Sequence, residues 1–143
     1  MTSDDFVVVV DAAREVLRVL SRQKRTLADA TFEKWLSSSS PLLRRIAVDG
    51  VRSAEWMTAT QKLRWLLDRD LLFDLPARHE VYGVLADTFE HADTLTRQAV
   101  IKRAQKGARV KDSPRLDKGT RQYLTYNLLA WLRQAASSRG QRG

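Results

Sequence analysis

Histidines and neighbouring carboxylates are the side chains of this sequence that could carry acid–base or metal chemistry. The chain has two histidines, His79 and His91. Their separation of 12 residues would place them about 120° apart around a single helix, so they could not bind one ion together from it. His79 is followed by Glu-Val-Tyr-Gly, which lacks the second histidine of a His-Glu-x-x-His zinc motif. The spacing therefore predicts surface or partly buried histidines and no metal site.

Acidic pairs and nucleophile motifs likewise predict no catalytic or metal site. Asp68 and Asp70 flank Arg69 at a predicted helix end, and residues two apart point to different sides of a helix. The glycines form no phosphate-binding loop, and the serines at 37–40 lack a Gly-x-Ser-x-Gly context. Cysteine is absent, which removes disulfides, thiolate metal ligands and cysteine nucleophiles. We therefore expect no catalytic residue, no cofactor and no small-molecule substrate.

Lysine and arginine are more informative, because their distribution is strongly uneven. The net charge is +8, yet residues 1–96 hold 13 Lys/Arg and 15 Asp/Glu, whereas residues 97–143 hold 12 and two. Lys102, Lys106 and Arg109 follow one another at spacings of four and three, which places them on one helix face. The predicted binding residues are the cations of this basic segment: Lys102, Arg103, Lys106, Arg109, Lys111, Arg115, Lys118 and Arg121.

Three interpretations of the basic segment are open at this stage. Cations in such an array can follow a phosphate backbone, with an affinity that falls as salt rises. They can also contact an acidic protein surface. The third interpretation is a solvated helix face with a favourable cationic last turn.

Tryptophan and tyrosine rings are a further candidate for nucleic-acid contact, since bases stack on them. Trp65 and Trp131 lie beside leucines inside apolar helical runs, which predicts packing in the core. Trp56 lies between Glu55 and Met57 in a predicted connection, and we expect it to be the more exposed ring.

The elements that position these residues are predicted to be helices. Six glycines and three prolines in 143 residues are too few for the many tight turns of a sheet-rich fold. An amphipathic helix is predicted from Asp4 to about Gln23. The valines at 7–10 favour a strand as the alternative, but the apolar stripe continues through them. That stripe, at alternating spacings of four and three, consists of Phe6, Val10, Ala13, Leu17 and Leu20.

Capping patterns divide the rest of the chain into further helices. Thr26 with Asp29, and Thr58 with Gln61, have the three-residue spacing of a capping box. Ser40-Pro41 is typical of an N-cap followed by proline at the first helical position. The remaining predicted boundaries are Pro76 at the start of a fifth helix, Asp93 before a sixth and Gly107 after it.

The last part of the chain is predicted as a basic loop and a final helix. Residues 108–118 are polar and broken by Pro114, which predicts the loop. The helix covers about 120–136, and Ser137 to Gly143 is expected to be a flexible tail. We expect one helical domain over residues 1–136. The apolar residues of the last two helices are Leu95, Ala99, Val100 and Ala104, then Leu124, Leu128 and Trp131, with Tyr123 and Leu132 partly buried.

A weak internal period accompanies these helices. The prolines at 41, 76 and 114 recur at intervals of 35 and 38 residues, with Ile46 and Val81 in register after the first two. HEAT and armadillo solenoids have a period near 40, and a simple bundle explains most of the same facts. The predicted fold class is all-α: a helical bundle or a short HEAT/armadillo-like stack of about six to seven helices.

Four segments carry a resemblance to a known kind of protein: residues 37–48, 62–67, 78–85 and 123–132. They resemble HEAT-like helical segments of very large bacterial proteins, often associated with NTPase or sirtuin-type domains in anti-phage defence. The likeness covers roughly residues 35–135. It implies a scaffold or sensor that holds domains together or recognises a foreign protein or nucleic acid. It supplies no catalytic residue, because the enzymatic domains of those proteins lie elsewhere.

The cellular location of the protein is predicted from hydropathy and charge at the start of the chain. The longest apolar run there, Phe6 to Val10, is far shorter than the roughly 20 residues that span a bilayer. Asp4 and Asp5 precede it, where a secretory signal carries positive charge. We expect a cytoplasmic protein that does not enter a membrane.

Two functions are compatible with all of these features. The first is a non-enzymatic helical-repeat module for interaction or scaffolding, with a protein partner or a larger assembly. The alternative is a small, basic, all-helical nucleic-acid-binding subunit, of the kind found as small subunits in CRISPR effector complexes.

Overall fold

The computed structural model describes residues 3–23, 25–109 and 115–142, and within these ranges all regular structure is helical. The all-α prediction is confirmed, and the valines at 7–10 lie inside the first helix rather than in a strand. None of the described helices is both long enough and apolar enough to cross a membrane. The helices are α1 Ser3–Gln23, α2 Arg25–Ser37, α3 Pro41–Ser53, α4 Ala59–Asp68, α5 Arg78–Thr88, a short 3-10 helix Phe89–His91, α6 Thr94–Lys106 and α7 Lys118–Arg142.

The chain divides into two compact units, Met1–Met57 and Thr58–Gly143. The sequence predicts one domain over residues 1–136; in the structure α1–α3 belong to the first unit and α4–α7 to the second. Helix α7 extends to Arg142, so it includes most of the segment predicted as a tail.

In unit 1, the helices α1, α2 and α3 all contact one another. Gly50 of α3 lies close to side chains of both α1 and α2. A Cβ at this position would stand 2.6 Å from Cε1 of Phe32 and 2.8 Å from Cδ1 of Leu17, so only glycine fits without displacing the core. The fully or nearly fully buried apolar residues of this unit are Val10, Leu17, Ala28, Phe32, Leu36, Ile46, Ala47, Val48, Val51 and Ala54.

An ion pair between Arg14 and Asp49 joins α1 to α3 within this unit. Arg14 donates from Nε to Oδ2 of Asp49 at 3.0 Å and from Nη2 to Oδ1 at 2.9 Å. Asp49 is buried, so the two parallel hydrogen bonds offset the cost of removing its carboxylate from water. The bonds to Asp49 also raise the pKa of Arg14 above its ordinary value.

In unit 2, α4 packs on α5 and α6, and α6 packs on α7. Leu63, Leu66 and Leu85 are completely buried at the centre of this unit. Two of the predicted apolar residues of α6, Leu95 and Ala99, are exposed, Leu95 to 72%, and Tyr123, predicted as partly buried, is 62% exposed on α7. On α6, the residues that face the core are Thr96, Val100 and Ala104, at spacings of four. Leu95 lies one position off this stripe and therefore faces away from it.

Most of the predicted helix boundaries are confirmed. The N-cap side chain of Ser40 accepts from the backbone N–H of Leu43, with Pro41 at the first helical position. Thr58 and Gln61 form both hydrogen bonds of a capping box. Asp93 accepts from the N–H of Thr96 at 2.7 Å.

Two boundaries differ from the prediction. Helix α2 already includes Arg25, so Thr26 lies inside the helix rather than before it. Helix α5 begins at Arg78, two residues after Pro76, because Asp74 accepts from the N–H of Ala77 and forms a turn there. Pro41 is the first residue of α3, whereas Pro76 lies two residues before α5, so the two prolines do not hold equivalent positions in their helices. Pro114 lies outside the described residues.

Candidate functional site

The C-terminal end of α6 and the first half of α7 enclose an open groove of about 440 Å³ in unit 2. Among the described residues that line it, none is acidic. Its lining combines three cations, amide and hydroxyl groups and one aromatic ring: Gln105, Lys106, Gly107, Ala108, Lys118, Arg121, Gln122, Thr125, Tyr126 and Leu129. We call this feature the basic groove.

The backbone at Gly107 and Ala108 joins the end of α6 to α7 at the basic groove. Gly107 ends α6 with φ +81°, a conformation that residues with a side chain rarely adopt. The next residue, Ala108, donates its N–H to Oγ1 of Thr125 at 2.8 Å. Thr125 in turn donates to the carbonyl of Arg121 at 3.0 Å. The end of α6 is thereby attached directly to α7, and the sequence prediction of Gly107 as the residue that ends the helix is confirmed.

Three cations of the predicted set meet in the basic groove. Lys106 comes from the last turn of α6, and Lys118 and Arg121 come from the first turn of α7. Lys106 and Lys118 are exposed, and Arg121 is half-buried and donates to the carbonyl of Leu116. The helix end is itself held by Asp117, which accepts from the N–H of Thr120 at 2.7 Å. That hydrogen bond lowers the pKa of Asp117 below its ordinary value.

Arg103 belongs to the same predicted set, but its place is inside the unit. Its side chain is only 10% exposed, and its Nε lies 2.6 Å from Oδ1 of Asp70. It also donates from Nη1 to the carbonyl of Gly107 at 2.9 Å, and its guanidinium lies over the ring of Phe73 at 5.1 Å. Arg103 therefore holds α6 against the segment after α4, and its buried guanidinium does not line the basic groove.

Asp70 has an unusual backbone conformation. It is the only residue other than glycine with a positive φ in the described part of the chain, at +54°. Aspartate tolerates this left-handed conformation better than most residues. Its second oxygen lies 3.7 Å from Nη1 of Arg109, so this carboxylate is close to two cations of the basic segment.

The other predicted binding residues are scattered around the basic groove. Lys102 and Arg115 are exposed but do not line it. Arg109, drawn toward Asp70, does not line it either. Lys111 lies outside the described residues. Of the eight cations that the sequence indicates, the structure brings together Lys106, Lys118 and Arg121.

Tyr126 is the aromatic ring of the basic groove, and the sequence offers it only as one of several rings on which bases could stack. It is 72% exposed and lines the groove. Leu124, Leu128 and Leu132 define the buried face of α7. Tyr126 is two positions from both Leu124 and Leu128, which puts it on the opposite face, roughly 160–200° away. This spacing could have indicated from the sequence that Tyr126 is exposed.

Three of the tryptophan rings pack against other residues of their own unit. Trp56 is half-buried and stacks on Phe32 with centroids 6.2 Å apart and planes 7° from parallel, in contrast to the exposure that the sequence predicts. Trp65 is buried, as predicted. Trp131 meets Tyr82 edge to face at 5.9 Å.

Groups that could hold a metal are not assembled in the described residues: no cluster of three or more His, Asp or Glu side chains is present there. His79 and His91 are both exposed. What the basic groove offers chemically is positive charge, amide hydrogen bonds and one aromatic face, which together suit an anionic ligand with flat groups. Comparison with protein-family models, curated proteins and solved structures finds no match to this chain.

Proposed function

We propose that this chain is a non-catalytic helical interaction module whose second unit binds single-stranded nucleic acid in the basic groove. The observation that supports it is the convergence of Lys106, Lys118 and Arg121 with the exposed ring of Tyr126, on a surface with no acidic lining residue among those described. Cations spaced along a groove neutralise phosphates. An exposed ring adds stacking, which is open only to bases that are not already stacked in a duplex.

Salt dependence is the first test of this proposal. Labelled 20-nucleotide single strands of DNA and RNA, and the corresponding duplexes, are titrated with the protein and followed by fluorescence anisotropy. Three neutralised phosphates on a single strand predict a slope of about −2 in log affinity against log salt, which is a loss of about 20-fold between 50 and 200 mM. Absence of binding at 50 mM would contradict the proposal, and tighter binding to duplexes would contradict the single-strand preference.

A charge-matched pair of variants locates the site. Lys106→Gln/Lys118→Gln/Arg121→Gln removes the three cations of the basic groove. Lys102→Gln/Arg115→Gln/Arg133→Gln removes three exposed cations of the same unit that do not line it. We expect the first variant to lose at least tenfold in affinity at 50 mM salt and the control to lose less than about threefold. Equal losses would mean that net charge alone attracts the ligand.

The role of the ring is tested separately. Tyr126→Phe keeps the aromatic face and should bind as the unmodified protein does, whereas Tyr126→Ala should lose about tenfold. Tyr123→Ala is the matched control, because Tyr123 is also largely exposed on α7 but does not line the basic groove. An unchanged affinity in Tyr126→Ala would reduce the site to a phosphate-binding surface, as an acidic protein partner could also use.

Scaffolding of a protein assembly is a second candidate function. It is favoured by a set of exposed valines on α1. A place in a bacterial defence assembly, and a HEAT-like form of the module, depend on the resemblance of residues 35–135 alone. Copurification of neighbouring gene products with the full chain is the experiment that addresses them.

A further inference from the structure

Helix α1 has two apolar faces, and only one of them is covered in unit 1. Val10 and Leu17 are buried against α2 and α3. On the other side, Val8, Val16 and Val19 are 67%, 50% and 46% exposed. Valine is a modest helix former, so its use on a solvent-facing side brings no benefit to an isolated helix. A continuous exposed apolar stripe of this kind marks an interaction surface.

The spacing of the exposed residues defines a seam along α1. Val9, Ala12, Val16 and Val19 follow one another at spacings of three, four and three, and all four are exposed. This is the a/d pattern along which two helices pack by inserting side chains between those of the partner. Small and β-branched side chains at these positions allow the two backbones to approach closely.

Charge indicates which partner fits this seam. Residues 3–11 hold three acids and no cation, whereas residues 12–23 hold three cations and one acid. A second copy of the same helix placed parallel would align like charges. A second copy placed antiparallel aligns the acidic half of each helix with the basic half of the other, which is attractive at both ends.

We propose that this seam is a homodimer interface, in which α1 pairs antiparallel with α1 of a second copy about a two-fold axis. The axis passes between Ala12 and Val16, so Ala12 of one copy faces Val16 of the other and Val9 faces Val19. Residues 5–11 of each copy then run alongside residues 17–23 of its partner, so the acidic end of each helix lies near the basic end of the other.

The interface is small, with four apolar positions per helix, so the dimer is weak and depends on concentration. It is independent of the proposed function, because no residue of α1 lines the basic groove. Dimerisation places two such grooves in one particle, which increases the apparent affinity for a strand long enough to reach both.

Sedimentation velocity of the full chain without nucleic acid, from 1 to 200 µM, tests the proposal. We expect a shift from monomer to dimer across this range in the unmodified protein. Ala12→Lys and Val16→Glu should each remain monomeric with unchanged helicity by circular dichroism, because both positions are exposed. Val7→Lys, on an exposed valine outside the seam, is the control and should dimerise normally.

Mixing the two seam variants tests the antiparallel register. In an equimolar mixture, the lysine introduced by Ala12→Lys would face the glutamate introduced by Val16→Glu, so heterodimer should form where neither variant alone dimerises. A parallel pair would bring position 12 against position 12 and give no such rescue. A monomeric unmodified protein at 200 µM, or normal dimerisation of Ala12→Lys, would overturn the interface and leave the seam to a different partner. Loss of the dimer without rescue on mixing would overturn the register.

Discussion

In each unit an arginine–aspartate pair joins distant parts of the sequence, and the arginines of the two pairs differ in depth. In unit 1, Arg14 and Asp49 are 35 residues apart, and the arginine side chain is 44% exposed. In unit 2, Arg103 and Asp70 are 33 residues apart, and the arginine side chain is 10% exposed. Since desolvation makes an ion pair both costly to form and costly to break on one side, the pair in unit 2 is the more sensitive of the two.

The surfaces of the two units differ in charge and in polarity. Unit 1 has nine Lys/Arg and eight Asp/Glu and presents an apolar seam on α1, whereas unit 2 has 16 and nine and presents the basic groove. Charge that is paired internally holds helices together, and only the charge that remains on a surface can recognise a ligand. The total count of cations does not separate these two roles.

The largest expected effect is that of Asp70→Asn. Asparagine also tolerates the positive φ at this position, so the change removes the charge without backbone strain. Arg103 is left buried without its carboxylate partner, and we expect a loss of about 2–4 kcal/mol in the free energy of unfolding. Urea denaturation measures this loss, with faster hydrogen exchange expected in α4 and α6. Asp68→Asn, an exposed neighbour, should change stability by less than about 0.5 kcal/mol.

Asp70→Asn also tests whether the arginines that contact Asp70 take part in ligand binding. At a temperature where Asp70→Asn is folded, its affinity for single strands should stay within about twofold of the unmodified protein. A larger loss would place Asp70 and its two arginines in the binding site rather than in the framework that supports it.

A smaller effect is expected from Asp49→Asn in unit 1. Arg14 regains contact with water more easily than Arg103 does, because it is half-exposed. We therefore expect a loss of about 1–2 kcal/mol, measured in the same way, with faster hydrogen exchange in α1 and α3. Asp29→Asn, an exposed acid on α2, is the control. A loss equal to that of Asp70→Asn would contradict the argument from depth.

The smallest effect concerns acid pH and the caps of the two helices that form the basic groove. Hydrogen bonds from Thr96 lower the pKa of Asp93, and those from Thr120 lower the pKa of Asp117. A lowered pKa means that each cap contributes stability above the ordinary value of 3.8 and that this stability is lost as pH falls below it. The corresponding cap of α3 in unit 1 is Ser40, which does not titrate.

Asp93→Asn/Asp117→Asn measures this difference, because asparagine still accepts the capping hydrogen bond and does not titrate in this range. Between pH 6 and pH 3, the midpoint of thermal unfolding should fall further in the unmodified protein than in the variant. Hydrogen exchange should place the difference at the starts of α6 and α7. An equal fall in both proteins would mean that other carboxylates control the acid sensitivity.

Much of the helical structure was determined by the sequence itself. The caps at Ser40, Thr58 and Asp93 were predicted correctly, because a cap depends on residues three positions apart and on a backbone that needs an acceptor there. The end of α6 at Gly107 is local in the same way. The excess of positive charge after residue 97 is a property of the sequence alone.

The tertiary structure decided which of these charges work together. Arg103 and Lys106 are three residues apart on one helix, yet the first is buried against Asp70 and the second lines the basic groove. Nothing local distinguishes them, because the partner of Arg103 is 33 residues away in the sequence. Tyr126 likewise joins the groove only because α7 buries the leucines on its opposite face against the rest of unit 2. Helices follow from neighbouring residues, whereas a surface follows from what the packed core leaves uncovered.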